Sequence, residues 1–132
     1  MLYIDRENGS NLIAHRREVL GIPDTPKLRY WGRWVSLPFP GIGSNELVEY
    51  AEAVHPLIIF DSLVRCHDSN ENDNTEMARV MDGFVGLARK GATVVVLHHA
   101  GNLLPDERKA EPVGSCQFTG TPRFTSCYAY RH

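Results

Sequence analysis

Three apolar runs in this sequence stop on acids or histidines. Tyr3-Ile4 leads into Asp5 and Glu7, Leu57-Ile58-Ile59-Phe60 into Asp61, and Thr93-Val94-Val95-Val96-Leu97 into His98 and His99. An acid directly after a buried run, followed by Ser62, can hold Mg²⁺ beside a phosphate chain. The plainer reading of Asp61 is a cap on the next turn. Asp5 and Glu7 lie two apart, so an extended strand points both to one side, and Glu7 there could polarise an attacking water as general base. Against that, Glu7-Asn8-Gly9 is turn chemistry, and Asp5 could simply cap it. Imidazole at the end of the third run could sense a phosphate or ligate a metal. Neighbouring residues face opposite ways, so an unbroken strand turns only one of His98 and His99 into a cleft.

Short, continuous β-branched runs of this kind read as strands buried on both faces, as in parallel sheets between helices. Ligands in such sheets bind outside the carboxyl ends of the strands. The segments between the runs are helical. Leu12, Ile13, Arg16, Arg17, Val19 and Leu20 have helical spacing, with Ser10 as the expected N-cap and Gly21 and Pro23 as the stop. Ser44 caps a short helix through Leu47, Val48, Ala51 and Val54. From Thr75 a strongly amphipathic helix turns Met77, Val80, Met81, Phe84, Leu87 and Ala88 inward and ends at Gly91. Lys27 to Val35 is a second strand candidate, while Pro38 to Gly43 and Asp68 to Asn74 are loops. The alternation predicts a three-layer α/β domain with a mainly parallel sheet over residues 1–101. Residues 102–132 show no convincing period and read as an irregular tail, with room for one short strand near Phe118 or Tyr128.

The bulk properties fit a single soluble domain of 132 residues, with 42% hydrophobic and 23% charged side chains. A net charge of −2 excludes a general attraction to nucleic acid, so such binding needs a local patch. No apolar run reaches membrane-spanning length, and the start lacks the features of a signal peptide. The odd, widely spaced Cys66, Cys116 and Cys127 argue against a disulfide framework and suit a reducing cytoplasm. Weaker signals come to little. The acidic stretch from Asp68 lacks the turn glycine of a calcium loop, and Arg79 stands where its closing glutamate belongs. Gly41-Ile42-Gly43 is not a phosphate cradle. Arg29, Trp31 and Arg33 could stack on a single strand of nucleic acid, but the commoner reading is an edge strand covering its own helix.

Read together, four segments resemble the AAA-type ATPase domain of RepA-like hexameric helicases, within the RecA-like class of P-loop NTPases. They are Tyr3 to Gly9, Leu57 to Arg65, Glu71-Asn72-Asp73-Asn74, and Val94 to Gly101. The resemblance covers residues 3–101. It implies that Glu7 matches the catalytic glutamate, Asp61 the magnesium aspartate of the Walker B strand, and His98-His99 the γ-phosphate sensor. Ser62 and Arg65 of the Asp61 segment join it as cofactor-binding candidates. The implied cofactors are ATP and Mg²⁺, and the implied partners are DNA and the other subunits of a hexameric ring.

The sequence departs from that family in three places. No glycine-rich turn ending in Lys-Ser/Thr occurs anywhere in it, Asn102 replaces a lysine expected after the histidines, and residues 111–132 do not match the family's downstream segment. The expectation is therefore an incomplete RecA-like domain, a fragment without the P-loop strand and inactive in ATP hydrolysis alone. Its Thr93–Leu97 edge would be open unless the tail covers it. Two alternatives stand beside this reading. One is a non-catalytic module that docks on a helicase subunit or DNA, and the other is a metal-dependent phosphoesterase using Asp5, Glu7, Asp61 and a histidine.

Overall fold

A computed structural model describes residues 1–70, 73–99 and 128–130. In chain order the elements are β1 (Leu2–Asp5), α1 (Ser10–Val19), β2 (Arg29–Gly32), α2 (Asn45–Val54), β3 (Leu57–Asp61), a 3-10 turn (Leu63–Arg65), α3 (Asn74–Arg89), β4 (Thr93–His99) and β5 (Tyr128–Tyr130). Among the described residues every strand pairing is parallel, in the order β2-β1-β3-β4-β5. The predicted α/β class holds. No helix among the described residues is long and apolar enough to cross a membrane.

The pleat sorts the strand residues into two unlike faces. Leu2, Ile4, Ile58, Phe60, Val94 and Val96 are buried and share one core with Leu47 and Ala51 of α2 and with Val80, Phe84 and Leu87 of α3. Phe60 and Phe84, both fully buried, meet edge to face at 4.9 Å between centroids. The opposite face carries Tyr3, Ile59, Val95 and Leu97, all half-buried. There Tyr3 packs on Tyr30 at 5.6 Å, and Arg17 of α1 lies over the Tyr30 ring.

The helix ends follow local chemistry, with one correction. Ser44 accepts from the Leu47 N–H, as expected of an N-cap. Asp73 caps α3 by accepting from Thr75 N and Glu76 N, so the polar loop before this helix supplies its start. Ser10, expected to cap α1, is instead its first helical residue. Gly9 takes the extended cap conformation, and its carbonyl accepts from Leu12 N and Ile13 N. Gly91 sits at φ 100° just after α3, a conformation that disfavours a side chain.

Two strand expectations also change. The Lys27–Val35 strand is only Arg29–Gly32, because the chain turns at Gly32, where the Val35 N–H donates to the Gly32 carbonyl and the Trp34 ring occupies the space a Cβ would need. Within it Trp31 is partly buried and packs against the core. The expected open edge along Thr93–Leu97 is closed at its tip, since β5 pairs with β4 from Leu97 to His99 and satisfies backbone groups there. This strand falls at Tyr128, one of the two places where the sequence left room for it.

Candidate functional site

Parallel register sets the geometry of the strand tips. Asp5 lies opposite Asp61, and Asp61 lies opposite Leu97. Arg6, Ser62 and His98 therefore follow immediately beyond one common row, with Glu7 one residue further along.

Asp5 and Glu7 are held differently at this strand end. Asp5 is fully buried, and its carboxylate accepts from Glu7 N at 3.0 Å, Asn8 N at 2.8 Å and the Asn8 side-chain amide. It is the cap of the turn. Glu7 is exposed and reaches across to β3, where the buried Ser62 hydroxyl donates to its Oε1 at 2.6 Å. The backbone N–H of Arg6, between them, donates to the Asp61 carbonyl at 2.9 Å. The turn after β1 is thereby tied to the tip of β3.

Asp61 is half-buried and accepts from the Tyr3 hydroxyl at 2.6 Å. Burial first, then this hydrogen bond, then the charges of Asp61 and Asp5 push the Tyr3 phenol well above its ordinary range, with Arg16 opposing. It stays a donor to the carboxylate through neutral and mildly alkaline pH. Beneath the lip, burial pushes the Cys66 thiol up to about 12, with Arg6 opposing and Asp61, Glu7 and Asp5 reinforcing. Cys66 is a buried, free thiol packed in the core.

At the third tip, β4 runs unbroken through His99, so the two histidines alternate as expected. The pleat puts His98 on the face of Val94 and Val96, and Asp61 on the face of Tyr3 and Ile59. His98 is half-buried, and its Nδ1 is enclosed with no hydrogen-bond partner among the described residues. The side chain of His99 lies outside the described residues, as do Glu71, Asn72, Asn102, Cys116 and Cys127.

Arg65 is exposed and lines an open cleft of about 450 Å³ together with Arg6 and Arg79. Asp61, Ser62 and Glu7 do not line it. The residues present fit half of a Mg²⁺-nucleotide site. A strand-tip carboxylate, a neighbouring hydroxyl and a second carboxylate are ligand chemistry for a hard cation that keeps most of its waters. The other half, a glycine-rich turn of backbone N–H groups with a lysine for the phosphates, does not occur in the sequence. Sequence reasoning missed Tyr3 as the donor to Asp61 and Ser62 as the donor to Glu7. Neither pairing has a local signal, because each spans more than fifty residues and depends on strand register.

Among curated proteins, no relative matches the sequence. The profile of the AAA domain family matches residues 36–103, just over half of the chain and the stretch from before α2 through β4. Glu7 lies outside that match, while Asp61, Ser62, Arg65, His98 and His99 lie inside it. With Asp61 at the tip of a central parallel strand in an α/β sheet, the chain belongs to the AAA domain family.

Proposed function

We propose that this AAA domain carries the acidic half of the nucleotide-hydrolysing site of a RepA-like hexameric helicase, and that the chain does not hydrolyse ATP alone. The observation that supports this is the linkage of Glu7 to Ser62 beside Asp61, at the carboxyl ends of two paired parallel strands. In this reading Asp61, with Ser62, holds Mg²⁺. Glu7 orients the attacking water, and His98-His99 mark the γ-phosphate end. ATP, when bound, supplies the phosphoanhydride. The phosphate cradle has to come from outside these 132 residues, because without those N–H groups and a lysine the triphosphate loses most of its electrostatic stabilisation. DNA and a ring of like subunits are the partners this reading implies.

Paramagnetic Mn²⁺ in place of Mg²⁺ tests it. The amide signals of Asp61, Ser62 and Glu7 should broaden in the wild-type chain and stay sharp in Asp61→Ala, with no ATP turnover in either. Broadening confined to other residues, or turnover by the chain alone, would overturn the reading.

A docking module is the second reading. The observation that favours it is the apolar surface of α1, where Val19 is 69% and the adjoining Leu20 70% exposed. Silence in the Mn²⁺ experiment together with capture of an intact helicase subunit would support it. The phosphoesterase reading is weaker, because among the described residues no three His, Cys, Asp or Glu side chains converge to hold a metal.

A further inference from the structure

We propose that the cleft beyond β1, β2 and β3 is a phosphate-binding site, separate from the Glu7–Asp61 lip. Its cations come from three elements. Arg6 follows β1, Arg65 closes the 3-10 turn after β3, and Arg79 projects from α3. The loop after β2 closes the remaining wall with Phe39, Gly41 and Gly43. Among the described residues that line it, Asp68 alone is acidic, in a protein whose net charge is −2. The concentration of positive charge is therefore local, in a chain with no general basic character.

The arginines are available as donors. None of the three forms an ion pair among the described residues. The Arg6 guanidinium is held 5.4 Å over the Phe39 ring, and its Nε is enclosed without a hydrogen-bond partner among those residues. A buried N–H donor left unmade is costly, and a guanidinium fork matches the tetrahedral oxygens of a phosphate. The Arg6 backbone is fixed by its hydrogen bond to the Asp61 carbonyl. The opposite wall is fixed as well, since Ile42 packs so closely on α3 that a Cβ at Gly83 would lie 3.0 Å from it. Three guanidinium forks around one cleft favour a phosphate group over a halide, because the phosphate shares its charge over several oxygens that can each accept a hydrogen bond.

The test uses the full chain and two probes, inorganic phosphate and a short single-stranded oligonucleotide without terminal phosphates. Phosphate should shift the amide signals of Arg6, Gly41 and Gly43 at millimolar concentration. Arg65→Gln and Arg79→Gln, both at exposed positions, should each weaken binding about tenfold, the loss of one charge-assisted contact. Arg89→Gln, at an exposed position outside the cleft, should leave it unchanged. Tighter binding of the oligonucleotide at the same amides identifies the natural source as a nucleic-acid backbone, and binding of free phosphate alone identifies a small phosphate ester. No shift at these amides with either probe, or equal weakening by Arg89→Gln, would overturn the proposal. Asp61→Ala should leave phosphate binding intact while abolishing the Mn²⁺ effect, so failure of one proposal is distinguishable from failure of the other.

Discussion

The Tyr3 phenol donates to Asp61 Oδ2 at 2.6 Å, from the middle of one strand to the tip of its parallel neighbour. It orients the carboxylate whose type and position first suggested a metal-holding strand end. Tyr3→Phe keeps the ring and removes only this donor. We expect a loss of about 1–3 kcal/mol, the usual cost of a hydrogen bond to a charged group, read from urea unfolding midpoints.

Asp5 and Ser62 are the two fully buried polar residues of the lip, and they should fail differently. Asp5→Ala strands the Glu7 and Asn8 N–H groups and the Asn8 amide, and should cost about 2–4 kcal/mol because several donors lose one acceptor. Ser62→Ala removes a single donor to an exposed carboxylate and should cost about 1 kcal/mol. A larger loss in Ser62→Ala than in Asp5→Ala would contradict this division of roles.

Stability should fall at alkaline pH. The folded-state values of both Tyr3 and Cys66 are raised, so the native state binds more protons than the unfolded chain once pH passes the ordinary thiol range. The contribution of Cys66 is complete below pH about 8.5, where even the unfolded thiol is protonated, and declines as pH rises toward about 12. Tyr3 adds its share above pH about 10. Unfolding midpoints measured from pH 8 upward should drop steadily, and Tyr3→Phe should flatten the part above pH about 10. A rise with pH would refute both assignments.

Close approach of the loop after β2 to α3 depends on Gly83. Gly83→Val would place a branched side chain against Ile42, and we expect overpacking to cost about 1–3 kcal/mol. The Gly41 and Gly43 amide signals should shift with it. Unchanged stability and unchanged loop signals would show that the contact is not tight.

Much of this structure is visible in local patterns. The three β-branched runs became β1, β3 and β4, because such residues fit a pleated sheet between helices, and the α3 spacing put Val80, Met81, Phe84 and Leu87 in the core. The cap at Ser44 was legible because the residue and its N–H partner are three positions apart. The α1 cap was not, since Gly9 and Ser10 both have cap chemistry and only the backbone angles separate them.

The sequence by itself determined which side chains stand at strand ends, since that follows from where apolar runs stop. It also determined that no glycine-rich lysine turn accompanies them. Tertiary structure alone decided what those side chains do to one another. The register that sets Asp5 against Asp61 puts Glu7 on Ser62 and Tyr3 on Asp61, and sends Arg6 and Arg65 to a cleft of their own. Pairings across more than fifty residues carry no local signature, because they depend on how parallel strands align once the helices between them have packed.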